Sequence, residues 1–357
     1  MKKEIIFVTI GMGGGGTERA ISVLANKLAK MGHTVSILMI AKGDIAYELH
    51  SDIVIKQVGT SSGGSIKTRI KRILTMRKFF KAHKGSNIIG MGSVASIFAL
   101  IANFGIKNRV LISERNNPNR LNGKPYSKKM KLIRDFLYKR ADVCVFQTED
   151  ARDYFTKLSP KKTCVIPNSL VDKIREPFMG DRKKEVVYVG RLIPEKNPKL
   201  ALDGFTQFVR LHPEYILRFY GEGELKERME KYIRELELDK KVFLHPFTKE
   251  IHDAIAEAGI YVSSSDGEGL SNSIMEAMAL GIPTIATDCP IGGSKMCIQN
   301  NENGILIPVG DKEALCAALC KIAENPDFAR KISSNAVNVR EKFSEERIVQ
   351  MWLEKMI

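Results

Sequence analysis

Little in this chain points away from water. No apolar run reaches the ~18 residues of a membrane-spanning helix; the longest, residues 94–106, is interrupted by Asn103. The opening residues, MKKEIIFVTIG, have too short an apolar stretch and no cleavage site for a secretory leader, so a first β-strand is expected there. Cysteine is sparse: six residues and no C-x-x-C pair, which removes a disulfide scaffold. Cys316 and Cys320 stand four apart on an expected helix, where core packing accounts for them. A reduced, cytoplasmic setting follows. Low-complexity segments and an Asp-x-Asp metal motif are both missing. What remains is 357 residues, 44% hydrophobic and 27% charged, enough for two globular domains of ~100–200 residues each.

Acid is short in one half only. Through Leu170 there are 30 Lys and Arg against 11 Asp and Glu; from Val171 onward there are 26 against 30. The first half therefore carries +19 and the second −4. A merely solubilising surface would not segregate charge in this way. An anionic partner for the first half is implied: a membrane surface, a phosphate-bearing substrate or nucleic acid. Nucleic acid fits worst, because the first half has no interleaved surface aromatics and no recognisable binding module. One basic segment reads as an amphipathic helix after the Ser/Gly loop SSGGS. Ile66, Ile70, Ile73, Leu74 and Phe80 share a stripe, with Lys67, Lys71 and Lys78 along its flank. A second cluster is KPYSKKMKLIRDFLYKR, residues 124–140.

Both halves alternate short apolar runs with longer helical patterns. EIIFVTI, TVSILMI, NIIGMG, RVLIS, DVCVFQT and TCVIP read as strands in the first half. EVVYVG, YILRFYG, KVFLHPF, IYVSSS, PTIATD and GILIPVG do so in the second. Such runs between amphipathic stretches argue for parallel sheets covered on both faces. The expected architecture is α/β: two Rossmann-like, doubly wound domains facing a cleft, with a ligand at the carboxyl ends of the strands. The boundaries expected are 1–170, a polar linker at 171–184, a second domain at 185–338 and a terminal helix at 339–357.

The first strand runs into GMGGGGTERA, where Gly11, Gly13 and Gly16 satisfy G-x-G-x-x-G. A dinucleotide site also wants an acid at the end of the second strand. That strand is followed by Ala41, Lys42 and Gly43, and Asp44 comes several residues late. Three readings stay open for the loop: a tight turn, a backbone cradle for a phosphate or sugar at a helix N-terminus, or an NAD(P) site.

The second half is more specific. YVGRLIPEKNP places Arg191 and Lys196 just past a strand, where both could reach one diphosphate. FYGEGEL puts Gly221 and Gly223 after another. SSSDGEGLSNSIMEAMALGIP passes Glu268 and enters a helix near Asn272, which Gly281 caps and Pro283 ends. The amides of Leu270, Ser271 and Asn272 would point from that helix start, where phosphate is favoured. Glu276 has two readings. Ser273-x-x-Glu276 is a capping box; alternatively the two oxygens of the Glu276 carboxylate suit a ribose cis-diol.

Taken in order, GGGGTERA, VGRLIPEKNP, GEGEL and EGLSNSIME resemble family 4 glycosyltransferases of the two-Rossmann (GT-B) class, over essentially the whole chain. The resemblance implies a retaining, metal-independent transferase that moves a hexose or N-acetylhexosamine from a nucleotide sugar, UDP-linked above others. It makes the first domain the acceptor domain, the second the nucleotide-sugar domain, and packs the terminal helix back on the first. It gives Arg191 and Lys196 to the diphosphate and Glu276 to the ribose. Glu268, Gly269, Leu270, Ser271 and Asn272 go to the sugar and β-phosphate. Gly14, Gly15 and Gly16 line the donor across the cleft, with Gly221 nearby, and the loop ending at Phe247 holds the nucleobase. No cofactor and no metal are implied. Many members carry a His where this chain reads ISERNNPNRL; Arg115 stands in its place as a catalytic candidate beside Glu268, Arg191 and Lys196.

The loop variant GEGLSNSIMEAMALGIPTIATDCPIGG is similar to that of bacterial enzymes extending lipid-linked sugars for exopolysaccharide, capsule or glycoprotein glycans. The resemblance thus implies a lipid-linked or oligosaccharide acceptor, and a peripheral position at the inner face of the cell membrane. Lys67, Lys71, Lys78 and Arg19 are the candidates for the anionic membrane or acceptor. A nucleotide-sugar epimerase of the same fold is the main alternative, and an NAD(P) oxidoreductase a weaker one.

Overall fold

The computed structural model describes residues 2–356 except 60–64, 116, 122–123, 172–173 and 179. The Ser/Gly loop before residue 65 and three linker positions therefore lie outside the described residues. The chain forms two units, Met1–Ser169 with Glu345–Ile357, and Leu170–Ser344.

The first unit is built on β1 (Glu4–Thr9), β2 (Thr34–Met39), β3 (Val54–Gln57), β4 (Asn87–Met91), β5 (Arg109–Glu114), β8 (Val143–Phe146) and β9 (Thr163–Val165). β6 (Arg120–Leu121) and β7 (Lys124–Pro125) make a separate antiparallel hairpin. The seven strands are parallel in the order β3-β2-β1-β4-β5-β8-β9. Their crossovers carry α1 (Gly16–Lys30), α2 (Ile66–Ala82), α3 (Ser93–Ala102), α4 (Lys128–Tyr138) and α5 (Glu149–Asp153). Right-handed crossovers put α1 on one face of the sheet and α2, α3 and α4 on the other, where they touch in that order.

The second unit orders six parallel strands as β12-β11-β10-β13-β14-β15. They are β10 (Lys183–Val189), β11 (Ile216–Tyr220), β12 (Val242–His245), β13 (Ala258–Ser263), β14 (Thr284–Thr287) and β15 (Ile305–Ile307). Its helices are α6 (Pro198–Leu211), α7 (Lys226–Glu235), α8 (Ile251–Ile255), α9 (Asn272–Ala279), α10 (Gly293–Cys297), α11 (Lys312–Glu324), α12 (Pro326–Ala336) and α13 (Val339–Lys342). α14 (Glu345–Lys355) then belongs to the first unit.

Burial explains the apolar strands. Phe7, Ile37, Ile89, Leu111 and Val145 come from five neighbouring strands of the first sheet and are wholly inside. α1 covers them with Leu24 and Leu28, and α14 adds Val349 and Trp352. In the second unit Leu217 and Phe219 pack under Phe205, Phe208, Leu315 and Leu319. β3 is the one sheet strand that no apolar run announces. It lies at the edge, and all four of its residues are exposed.

The segment at 171–184, expected as a polar linker, is bound into the second unit. The Arg182 guanidinium donates to Ala256 O (3.0 Å), Ala258 O (3.1 Å), Leu280 O (3.2 Å) and Gly281 O (2.7 Å). Burial lowers its pKa to about 10, still leaving it charged at neutral pH. The chain returns to the first unit at Glu345 rather than at the expected 339. α13 stays behind because Val339 and Phe343 are core residues of the second unit.

Trp352 is the single tryptophan and is fully enclosed in the first unit. Trp352→Ala should destabilise that unit by about 3–5 kcal/mol. Calorimetric scanning should show one transition shifted down and the melting of the second unit little changed.

Candidate active site

In the second sheet, β10 to β12 run to one side and β13 to β15 to the other. The chain therefore leaves β10 and β13 in opposite directions, and a crevice opens at their carboxyl ends. The loops that flank it are 190–197 and 264–271. They are tied to each other by a ladder of short contacts. Ser264 Oγ donates to Asn197 O (2.8 Å), and Asn197 Nδ2 donates to Asp266 Oδ1 (2.8 Å). Asp266 N donates to Glu195 O at 3.0 Å. Asn197 takes a left-handed conformation (φ 42°) and also caps α6, accepting from Leu200 N. From beneath, the buried Tyr188 hydroxyl donates to Lys196 O (3.3 Å) and Arg191 O (3.4 Å).

At the centre of this ladder the Lys196 ammonium donates to Glu268 Oε1, and Ser265 Oγ holds Oε2 at 3.0 Å. Both partners of the ion pair are mostly covered. Arg191 is exposed beside them. The crevice therefore places two cations and a carboxylate on one edge of the sheet.

α9 starts at Asn272 with Ser271 as its cap, Ser271 Oγ accepting from Ile274 N at 3.5 Å. This corrects the capping-box reading of Glu276. With Ser271 as the cap, the third helical position is Ile274, and Glu276 lies too far into the helix to reach back. Ser273 is engaged elsewhere, by the Tyr261 hydroxyl at 2.9 Å. Glu276 is buried, and its Oε2 stands 3.2 Å from Nε2 of His252 on α8. At the other end Gly281 is left-handed (φ 69°), with Ile282 N donating to Ala277 O, a closed C-terminal turn.

Two glycines are fixed by backbone crowding. A Cβ on Gly221 (φ 146°) would lie 2.1 Å from Gly190 O, and one on Gly293 would lie 1.6 Å from Gly269 O. Gly221 thus lets the loops after β10 and β11 close on each other, and Gly293 lets the turn after β14 press against the Glu268 loop. Past β12, His245 stacks on Tyr220 with centroids 4.9 Å apart. Burial and then the Arg218 cation lower its pKa, so the ring stays neutral at pH 7. Two residues on, Phe247 is exposed.

In the first unit, the glycine turn follows β1, where that sheet's strand order also reverses between β1 and β4. Gly13, Gly14 and Gly15 are exposed, and Gly16 opens α1 with no side-chain cap on Gly15. Arg19, in the first turn of α1, is half-buried. Arg115 follows β5 and is enclosed. Its guanidinium donates to Asn168 Oδ1 and, at 3.4 Å, to Ser113 Oγ. Burial pulls its pKa down to about 10. In this position it braces the segment after β9.

α2 also differs from the expected pattern. It buries Arg72, Met76 and Phe80, so Phe80 parts from the stripe of Ile66, Ile70 and Leu74, which is exposed. Lys67, Lys71 and Lys78 are exposed on the same helix.

Sequence reasoning passed over His252, Ser264, Asn197, Asp266 and Gly293. Asn197-Pro198 is a legible helix start. The partnership of His252 with Glu276 has no spacing signal, because it joins two helices through the fold.

Two family models match adjoining parts of the chain: "Glycosyltransferase Family 4" over residues 14–171 and "Glycosyl transferases group 1" over residues 172–339. The chain belongs to the family 4 glycosyltransferases and is an enzyme of that class. It is 24% identical, over 98% of its length and 97% of the relative's, to a Campylobacter jejuni protein. That protein is named GalNAc-alpha-(1->4)-GalNAc-alpha-(1->3)-diNAcBac-PP-undecaprenol alpha-1,4-N-acetyl-D-galactosaminyltransferase. A second protein of that organism is 27% identical over 96% of the chain and 95% of its own length. Its name is N-acetylgalactosamine-N,N'-diacetylbacillosaminyl-diphospho-undecaprenol 4-alpha-N-acetylgalactosaminyltransferase. The crystal structure of HepE from Anabaena in complex with UDP superposes with a TM-score of 0.83 at 17% identity, covering 99% of both chains. That likeness shows the two-Rossmann GT-B fold.

Arg115→Ala removes a buried, charge-assisted bond and leaves Asn168 Oδ1 to the Gln147 side-chain amide, which donates to it at 2.8 Å. It should cost about 1.5–3 kcal/mol of stability, seen as a lower melting temperature of the first unit. UDP affinity by calorimetry should stay at the wild-type value. Retained stability with lost transfer would instead return Arg115 to the chemistry.

Proposed function

We propose that this family 4 glycosyltransferase moves a hexose or N-acetylhexosamine from a UDP-linked donor to a glycan carried on a lipid diphosphate, with retention at the anomeric carbon. The carrying observation is the Lys196–Glu268 ion pair at the strand reversal of the second unit, with Arg191 exposed on the same loop as Lys196. Support for the acceptor comes from the two Campylobacter proteins, whose names specify undecaprenol-diphosphate glycans. Support for UDP comes from the HepE complex. The products would serve exopolysaccharide, capsule or glycoprotein glycan assembly at the inner face of the membrane.

In this reading the donor diphosphate takes over the Lys196 ammonium, now held by Glu268, and adds Arg191. The freed Glu268 carboxylate accepts from hydroxyls of the transferred sugar, alongside the amides of Gly269, Leu270, Ser271 and Asn272. Glu276 accepts from the ribose hydroxyls, with His252 fixing its carboxylate. The loop ending at Phe247, steadied by the His245–Tyr220 stack, receives the base. Gly14, Gly15 and Gly16 present bare backbone to an anionic group of a substrate. The bond from C1 to the diphosphate oxygen breaks, the bond from C1 to the acceptor oxygen forms, and the hydroxyl proton leaves with the diphosphate. Charge building on that leaving group meets two cations and a helix N-terminus already in place, which is electrostatic preorganisation. No divalent ion is assigned, because the chain has no Asp-x-Asp motif to hold one.

Calorimetry with UDP tests the site. Arg191→Ala should weaken binding by about 1.5–3 kcal/mol, roughly 10- to 150-fold. Glu276→Gln should weaken it by about tenfold. Unchanged affinity in both variants would remove the nucleotide from this crevice.

Transfer should survive excess EDTA. Loss of activity on chelation, restored by Mg²⁺ or Mn²⁺, would contradict the electrostatic mechanism.

A further inference from the structure

α2 and α4 lie in one layer on the same face of the first sheet, with α3 between them. Each buries a basic and an aromatic residue on its inner side: Arg72 and Phe80 on α2, Arg134 and Tyr138 on α4. Two residues from an inward position is ~200° round a helix, so Leu74 opposes Arg72 and Leu132 opposes Arg134. Ile66, Ile70 and Leu74 continue that outward line on α2 at steps of four, and Leu132 and Phe136 do so on α4. Each of these five keeps between 50% and 75% of its surface open. Both helices therefore present an apolar ridge pointing straight away from the sheet.

The space between the ridges is bridged by Phe104, at the end of α3, also 63% exposed. Arg77 of α2 donates to Ala102 O (3.2 Å) and to Phe104 O. Arg140, just past α4, lies over both Phe104 (5.1 Å) and Phe136 (5.0 Å). Exposed Ile101, Met130 and Ile133 fill in beside them. A scattered exposed leucine needs no explanation; two aligned ridges with a bridge between them form a surface built to be covered.

The charge around the ridges says by what. α2 has seven Lys and Arg and no acid, and α4 has four and a single Asp. Lys67, Lys71, Lys128 and Lys129 are exposed beside the apolar lines. Apolar ridges to enter the acyl boundary, with long basic side chains to reach headgroups, match an anionic bilayer surface. A second copy would bring an equal positive charge against the first.

We propose that the first unit docks on anionic membrane by inserting the α2 and α4 ridges, with the lysines engaging headgroups. This goes beyond attraction of a basic half to lipid: part of the binding is apolar and resists salt. It deepens the lipid-linked reading of the acceptor, but it rests on the surface of the first unit alone.

The test is co-sedimentation of the full chain with vesicles of phosphatidylcholine, with and without phosphatidylglycerol, in low and in molar salt. Binding should be strongest with the acidic lipid, and in molar salt should fall toward the weaker level seen on phosphatidylcholine alone without vanishing, because screening acts on the charges only. Ile66→Ser/Ile70→Ser/Leu74→Ser should abolish the salt-resistant fraction, a loss of about tenfold or more. Leu132→Ser/Phe136→Ser, on the other helix, should do the same. Lys67→Glu/Lys71→Glu/Lys78→Glu should remove the salt-sensitive fraction. All these positions are exposed, so melting temperatures should match wild type, and UDP calorimetry reports the second unit separately. Four results would overturn the proposal: no vesicle binding, binding wholly lost in molar salt, apolar variants that bind like wild type, or concentration-dependent dimers dispersed by the serine variants. Vesicle binding without UDP binding would instead leave docking intact and sink the donor reading.

Discussion

The second unit is organised by the tie between two loops that the sheet sends apart. β10 and β13 are neighbours, yet their chains leave in opposite directions. Ser264, Asn197 and Asp266 hold the departing loops together through backbone oxygens and the Asp266 carboxylate, Tyr188 braces the first of them, and the Lys196–Glu268 pair closes the tie at its centre. The hydrogen bonds do not involve the charges a substrate would claim. In the proposed reading a diphosphate would take Lys196 from Glu268 while the loops stay in register, and the ion pair would act as a stored arrangement of charge.

Much of this was legible because burial imposes simple patterns. Fully covered parallel strands need apolar runs, and twelve such runs locate every sheet strand except β3, whose exposed edge position asks for no such run. The placing of the loops was legible because the apolar runs mark the strand ends: Arg191 and Lys196 follow β10 and Glu268 follows β13, where the strand order reverses. Helix phase was less legible. The entry to α9 offers two serines, Ser271 and Ser273, and only the fold shows that Ser271 is the cap. The choice decides the meaning of Glu276, whose carboxylate stands 3.2 Å from His252 Nε2 on a neighbouring helix.

The first unit departs further from its sequence pattern, for one physical reason. Rules that put apolar residues inside assume that each helix has one buried face and one wet one. α2 and α4 break this by burying guanidinium groups with aromatics and exposing isoleucine, leucine and phenylalanine. The stripe expected to include Phe80 therefore splits across the two faces of α2. Arg115 makes the same point on a smaller scale. A cation read as a catalytic candidate is enclosed and bonded to Asn168, and no local feature of ISERNNPNRL announces that.

The account stands or falls on whether the nucleotide sugar engages both tied loops of the second unit. Hydrogen–deuterium exchange of the full chain, with and without UDP, reads this at the backbone. The account predicts slowed exchange in both segments 190–197 and 264–273, with little change in the core strands. Protection confined to the glycine turn at 11–16, or absent from the two loops at saturating UDP, would contradict it.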